Sequence, residues 1–383
     1  MVNEINSNYP SIDDLRKKAK RRIPRFAFEY LDGGCNEDVS ISRNTKEIRE
    51  VQLQPRYLRN NGISSTKTKV LGIEYDAPFG IAPVGLQGLM WPNSPEILAK
   101  SAFKQNIPFI LSTVTTMSIE RASELTEGKA WFQLYNPAED SLRDDIIERA
   151  EAAGCKVLVL LCDVPTFGYR PRDIRNGLAL PPKMSLTNML QIMGCPIWAI
   201  KTLIHGQPTF ETLKPYTPEG LNLKQLGAFM DKTFSGRLNE ERIKPIRDKW
   251  KGKLVLKGVA SEQDTQDALR MGFDGIIVSN HGGRQLDAAE STINSLSEIA
   301  AKYSDQIDIM MDSGLRSGPD IARAIASGSK FTFMGRPFLY GCGALGNKGG
   351  DHTISMLKIQ FKQVMDQLCC ERVEDLPKHL ISK

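Results

Sequence analysis

The chain has no cysteine pair in C-x-x-C spacing; its seven cysteines, at 35, 155, 162, 195, 342, 369 and 370, are odd in number and scattered. Neither a disulfide framework nor a zinc site is expected from that pattern, and the adjacent Cys369 and Cys370 read as packing residues rather than a redox pair. No apolar run approaches the roughly 20 residues that cross a bilayer. The opening MVNEINSNYP lacks the charged-then-apolar order of an export signal, so a cytoplasmic protein is the expectation. Charge of one sign is also missing: 50 basic against 45 acidic side chains leave +5, too little to argue for nucleic acid. Histidine is scarce, standing only at 205, 281, 352 and 379.

What is present is enough apolar residue, 41% of 383 positions, to bury a large core. Eight short runs rich in β-formers recur: FGIAP (79–83), PFILST (108–113), AWFQLY (130–135), VLVLLCD (157–163), KLVLKG (253–258), GIIVSN (275–280), IDIMMDSG (307–314) and FTFMGR (331–336). Helix signals lie between them, with Ser94-Pro95, Ser261 and Pro319 as starts and Gly154, Gly272 and Gly328 as stops. Eight strands that each feed a helix fit an α/β fold of the closed (β/α)8 barrel kind better than an open doubly wound sheet. The expected layout is one domain over 1–383: an N-terminal helical extension (1–78) opened by a helix capped at Ser11, a barrel (79–345) and a C-terminal helical segment (346–383). The stretch between Asp163 and Lys253 is too long for a plain connection, so an insertion over about 171–250 is expected at the barrel mouth, where it would cover a site.

In such a barrel the reactive groups project from the carboxyl ends of the strands. Those ends supply Ala82, Pro83 and Val84, then Ser112, Gln133, Tyr135, Asp163, Lys257, Ser279, His281, Asp312, Ser313, Gly314, Gly335 and Arg336. Any one of them is explained by a turn or a cap; their convergence is the signal. The last two runs end in DSGLRSG and GRP, where barrels commonly hold a phosphate on backbone N–H groups. Gly314 and Gly335 would allow close approach and Arg316 and Arg336 would neutralise charge, which points to a phosphate-bearing cofactor.

The order of motifs FAFEYLDGG, IAPVGLQ, FQLY, DVPTFGYRPRDIRNG, LKGV, SNHGGRQLD, DSG-R and MGRP resembles the FMN-dependent 2-hydroxy-acid oxidases and dehydrogenases, from about residue 10 to 375. The resemblance implies FMN as cofactor, no metal, a small 2-hydroxy acid as substrate, and oxygen or a quinone as electron acceptor. It implies His281 as the general base, with Asp163 orienting the imidazole and stabilising its cation. Arg170 and Arg284 would grip the substrate carboxylate, and Tyr30 and Tyr135 would hydrogen-bond it. Lys257 would stand by the N1–C2 carbonyl edge of the flavin, Ser112, Gln133 and Ser279 on the ring's polar edge, and the backbone of Ala82, Pro83 and Val84 along one side. Gln285 and Asp287 read as supporting groups, and a homo-oligomer, a tetramer by expectation, is implied.

Three departures from the family pattern bear on chemistry. Leu161 replaces a threonine that contacts the flavin, so one ring contact is expected to be lost. Ser313 stands where relatives often carry glycine, a change that a negative φ would tolerate. Gly85 and Val114 are small, which predicts a roomy pocket and a larger aliphatic or aromatic 2-hydroxy acid. Within the insertion, NMLQIMGCPIWAIKTLIHG (188–206) would either pack over the barrel or a neighbouring subunit, the favoured reading, or rest on the inner face of a membrane. Two rival functions carry the same barrel: an FMN-dependent isomerase, which the H-G-G-R clamp argues against, and a degenerate flavin-binding protein, which only Leu161 encourages.

Overall fold

The computed structural model describes residues 5–58, 62–178, 185–217, 233–234 and 238–381. Each of the eight apolar runs forms a strand: β1 (Phe79–Ile81), β2 (Ile110–Ser112), β3 (Trp131–Leu134), β4 (Val157–Leu161), β5 (Lys253–Val259), β6 (Gly275–Val278), β7 (Asp308–Met311) and β8 (Phe331–Met334). All are parallel, hydrogen-bonded in the order β1-β8-β7-β6-β5-β4-β3-β2. A parallel bridge between Ile81 and Phe109, just ahead of β2, brings the two edges together. The sheet is a (β/α)8 barrel, as the pattern of strands and helices predicts.

Because side chains alternate across a strand, parity along each strand sorts the buried residues into two cores. Ile110, Trp131, Val157, Val159, Val255, Ile277, Met310, Phe331 and Phe333 fill the lumen as one cluster. Their neighbours, among them Phe109, Leu111, Phe132, Leu158, Leu254, Ile276 and Ile309, face the helices in a larger cluster. Continued towards the carboxyl ends, the lumen parity falls on Ser112, Gln133, Leu161, Lys257, Ser279, Asp312 and Gly335. The pleat that packs the core therefore also carries these groups to the barrel mouth.

The opposite end of the lumen is closed by an antiparallel hairpin, Thr68–Val70 with Ile73–Tyr75, that the sequence reading did not foresee. Tyr75 packs on Phe331 with ring centroids 5.7 Å apart, and its hydroxyl accepts from Trp131 Nε1 at 3.0 Å, so the buried phenol is satisfied. The expected caps are in place. Ser11 opens the helix Ile12–Arg22 by accepting the Asp14 N–H at 3.2 Å, and Ser261 opens Glu262–Arg270 through Asp264 at 3.1 Å. Two basic residues of the first helix are tied into the fold: Arg16 forms two bonds to Asp32, and Arg22 lies 4.7 Å over the Trp91 ring.

Three further elements frame the mouth. The helix Arg25–Asp32 brings Tyr30 over the barrel, and Val39–Glu50 buttresses the loop after β6. Between β4 and β5 lie the helices Pro171–Arg175, Leu186–Met193, Pro196–His205 and Glu240–Lys249. Residues 179–184, 218–232 and 235–237 of the expected insertion lie outside the described residues.

Candidate active site

The carboxyl ends of the strands open into a cavity of about 800 Å³, a size suited to a cofactor together with a small substrate. Every site residue expected from the sequence lines it except Asp163 and Ser279, which stand directly behind His281 and Lys257.

After β6 the backbone makes an unusual turn. His281, Gly282 and Gly283 hold successive left-handed φ angles of 59°, 67° and 74°, a conformation that costs a residue with a Cβ about 1–2 kcal/mol. Side-chain oxygens hold the turn by accepting its three successive N–H groups: Ser279 Oγ from His281 at 3.1 Å, Ser313 Oγ from Gly282 at 2.9 Å, and Asn280 Oδ1 from Gly283 at 3.2 Å. Gly283 is required twice over, since a Cβ there would also stand 2.7 Å from the Ile41 backbone nitrogen. The Asn280 and Asn44 amides pair in both directions at 2.8 Å, and Asp287 accepts the N–H groups of Glu37 and Ser40 at 3.0 and 2.9 Å. The polar residues that follow β6 thus present one histidine and brace it against the helix Val39–Glu50.

The His281 imidazole places Nδ1 3.1 and 3.2 Å from the two Asp163 carboxylate oxygens. A carboxylate can only accept there, so Nδ1 carries the proton and Nε2 is left as the basic nitrogen. Burial, opposed by Asp163 and assisted by Lys257 and Arg170, holds the imidazole below its ordinary value of 6.5. It is neutral at physiological pH, the form a base requires. Burial alone would raise the Asp163 carboxyl, but His281 and Lys257 outweigh it and keep the group below the usual range.

Two guanidinium groups share the cavity wall with few anions to satisfy them. Arg284 donates through Nη1 to the carbonyl oxygens of Tyr30 and Gly33 at 2.7 and 2.8 Å, lies 5.1 Å over the Tyr30 ring, and meets no carboxylate among the described residues. Burial and the neighbouring Arg170 lower it to about 10, which leaves it charged at neutral pH. Arg170 donates to Gln285 Oε1 at 3.1 Å and lies 3.9 Å from Asp173, while its Nε is buried with no partner. An unpaired buried donor is costly, and an anion between the two arginines would satisfy it. Burial pushes the Tyr135 hydroxyl up, with Asp163 adding to the effect, so it is a neutral donor beside them. Gln285 also ties the wall together, its Nε2 donating to the Asp163 and Thr166 carbonyls at 3.2 and 3.0 Å.

At the barrel axis Lys257 pairs with Asp312 at 3.1 Å and donates to Ser279 Oγ at 3.0 Å. Burial acts to lower the ammonium, but Asp312 and Asp163 more than offset it, so Lys257 stays protonated. Ser112 donates to Gln133 Oε1 at 2.8 Å, leaving Gln133 Nε2 buried and without an acceptor. Arg336 opens the helix Arg336–Leu345 and donates to the carbonyls of Leu31, Gly282 and Gly33 at 2.8–2.9 Å. Burial and nearby Arg316 push it down to about 9; neither arginine has a carboxylate partner within 4.0 Å among the described residues. Ser313 departs from expectation: its φ is +76°, not negative, so its tolerance has another cause.

Leu161 reaches the cavity wall with an apolar side chain, and Gly85 and Val114 line the same space. The sequence reading missed Phe167, Ile174, Leu178, Phe210 and Phe234, which wall the cavity from the region between β4 and β5. Four of them lie in irregular connections and Ile174 on the five-residue helix Pro171–Arg175, neither long nor regular enough to show a periodicity by which to find them.

Fold and site together define a (β/α)8-barrel enzyme built for an anionic cofactor and an anionic substrate. The profile of the FMN-dependent dehydrogenase family matches residues 19–383. An L-lactate dehydrogenase of Vibrio parahaemolyticus is 34% identical over 97% of this chain and 98% of its own length. A putative L-lactate dehydrogenase of Mycobacterium tuberculosis is 36% identical over 97% of this chain and 88% of its own. The crystal structure of the monotopic membrane protein (S)-mandelate dehydrogenase superposes with a TM-score of 0.92 at 33% identity, covering 98% of this chain and all (100%) of that one. The chain belongs to the FMN-dependent dehydrogenase family. It is an oxidoreductase that uses FMN, and these relatives are named for 2-hydroxy acids.

The residues fit the cofactor. The orphaned Gln133 Nε2 and the Lys257 ammonium suit the polar edge of a flavin, and Gly314, Gly335, Arg316 and Arg336 suit its phosphate.

Proposed function

We propose that the enzyme oxidises an L-2-hydroxy acid with a bulky side chain to the 2-oxo acid. Bound FMN supplies the two-electron acceptor. Arg170 and Arg284 hold the substrate carboxylate, and the hydroxyls of Tyr30 and Tyr135 orient it. His281 Nε2 takes a proton from the substrate, and Asp163 stabilises the resulting imidazolium, as the acid partner does in hydrolase triads. Lys257 would hold a positive charge beside bound FMN and so favour its reduced, anionic form. The observation that carries this reading is a neutral, carboxylate-backed imidazole in one cavity with two guanidinium groups that share at most one distant carboxylate. The side-chain preference rests on Gly85, Val114 and the apolar wall of Ile174, Leu178 and Phe210. The test is anaerobic addition of glycolate, lactate, 2-hydroxyoctanoate and (S)-mandelate to the FMN-loaded protein. The oxidised-flavin absorbance is expected to bleach fastest with the two larger acids; bleaching by glycolate alone would refute the substrate class, and no bleaching by any acid the reaction itself.

We further infer that the helices Leu186–Met193 and Pro196–His205 rest on a membrane surface. One side of this pair is anchored: Trp198 is buried against Phe26 and donates to the Leu89 carbonyl at 3.2 Å. The other side exposes Leu186, Leu190, Met193, Ile200, Leu203 and Ile204, each more than half accessible, a concentration of apolar surface rarely left to water. Packing over the barrel accounts only for the anchored side, and the similar mandelate dehydrogenase is named as a monotopic membrane protein. Flotation with phosphatidylglycerol vesicles is expected to carry the protein upward and to fail for Leu190→Glu/Leu203→Glu. Wild type that stays unbound to the vesicles, or a double variant that floats as well as wild type, would refute the placement.

A further inference from the structure

Ser313 occupies a left-handed φ of +76° that glycine adopts freely and a residue with a Cβ does not. A serine there is unfavourable unless its hydroxyl is used, and this hydroxyl is used in both senses: it donates to Asp312 Oδ1 at 2.8 Å and accepts the Gly282 N–H at 2.9 Å. The two bonds complete a closed circuit. From Asp312 Oδ2 the contacts run to Lys257 Nζ at 3.1 Å, on to Ser279 Oγ at 3.0 Å, and to the His281 N–H at 3.1 Å. They then pass through the His281–Gly282 peptide back to Ser313. The His281 and Gly282 N–H groups of the strained turn are thereby fixed to the buried Lys257–Asp312 pair, the first through Ser279 from Lys257 and the second through Ser313 from Asp312.

We propose that Ser313 is a positioning residue for the His281 base, locking the left-handed turn after β6 to the Lys257–Asp312 pair. The inference rests on the functional reading above. Without the hydroxyl, a glycine or alanine leaves the Gly282 N–H without its acceptor and the turn with one anchor fewer, so the imidazole is held less firmly against Asp163. The relation between the two variants is distinctive. Alanine keeps the unfavourable Cβ and loses both bonds, whereas glycine loses the bonds but relieves the backbone.

Ser313→Ala and Ser313→Gly are compared with wild type in three measurements: steady-state kinetics with the best acid, thermal melting, and NMR titration of the histidine ring protons, with His281 assigned through His281→Gln. Both variants are expected to lose about three- to tenfold in kcat, the weight of a hydrogen bond, with KM within about twofold. In both, His281 is expected to titrate closer to a solvent-exposed imidazole. The melting midpoint should fall for Ser313→Ala and stay near wild type for Ser313→Gly, which keeps the test open if alanine folds poorly. Wild-type kcat and an unmoved His281 titration in Ser313→Gly would overturn the proposal, since the hydroxyl would then have no part in holding the base. If no acid bleaches the wild type, the functional reading fails, and the titration still decides whether Ser313 positions His281.

Discussion

Replacing Lys257 with methionine removes one member of a buried ion pair while preserving most of its volume. Lys257 and Asp312 have side chains only 4% and 8% exposed, with the charges 3.1 Å apart. Breaking such a pair from one side leaves a buried charge without a counter-ion, a loss of about 3–5 kcal/mol. The low end applies here, because Ser313 Oγ still donates to Asp312 at 2.8 Å. With an unfolding entropy of about 2.1 cal/mol/K per residue, a chain of 383 residues loses ~4 °C of melting midpoint for ~3 kcal/mol. The double variant Lys257→Met/Asp312→Asn removes both charges and is expected to recover most of that shift, since neutral groups of similar shape replace a buried pair at little cost. Scanning calorimetry on FMN-stripped protein measures this free of ligand linkage. The reduction potential of rebound FMN should fall in both variants, because neither restores a cation beside the ring. A single variant that melts with wild type, or a double variant that melts as low as the single, would refute the view of Lys257 and Asp312 as a compensated buried pair.

The kcat/KM profile should be flat at neutral pH and fall with unit slope on acidification through a value below 6.5, because burial holds His281 below that figure; an acid limb centred above 6.5 would contradict this. The same shift links to stability: below pH 6.5 the unfolded chain takes up the His281 proton before the folded one does, so stability present above that pH is lost as the pH drops towards the folded-state value, and His281→Gln should flatten that part of a melting-versus-pH curve. Gly85→Ala places a Cβ 3.0 Å from Val114 Cγ2 and 3.9 Å from the Tyr30 hydroxyl, so selectivity should move towards smaller acids by about 10-fold, read as the ratio of kcat/KM for lactate over mandelate. Gln285→Ala frees Arg170 from its 3.1 Å partner and releases the Asp163 and Thr166 carbonyls; KM should rise about tenfold, and unchanged KM would remove Gln285 from the support of the carboxylate clamp.

The barrel was legible because two periodicities agreed. Runs such as VLVLL and GIIV are strands by length and β-branching, and the residues that end most runs keep the lumen parity, so the list of strand ends was nearly the list of cavity-lining groups, Asp163 and Ser279 standing just behind the wall. Less was legible where position depends on chain-distant contacts. The hairpin Thr68–Val70 with Ile73–Tyr75 is too short to signal itself, and its place under the lumen is decided by Trp131 and Phe331, both over fifty residues away. The φ of Ser313 could not be read from its neighbours, because one of the two hydrogen bonds that hold its hydroxyl comes from Gly282, 31 residues earlier and at the end of a different strand. Phe210 and Phe234 were invisible for the same reason: an apolar residue in an irregular stretch becomes a cavity wall only once the barrel beneath it has formed.

The features that make this site costly to fold are the ones its chemistry requires. The strained turn at His281, the unsatisfied Nε of Arg170, the solitary Nε2 of Gln133 and the carboxylate-free guanidinium of Arg284 all weaken the ligand-free protein. The three orphaned donors are each satisfied by a specific kind of partner: an acceptor at Gln133 and an anion between the two arginines. On the proposed function, cofactor and substrate would complete a set of interactions that the strands have already aimed, leaving little reorganisation for the reaction step itself. The same logic explains why the buried Lys257–Asp312 pair is better suited to this place than two apolar side chains. A hydrophobic substitute would pack at least as well, but it would leave the barrel axis without the fixed positive charge that, on the proposed function, would face the reduced cofactor.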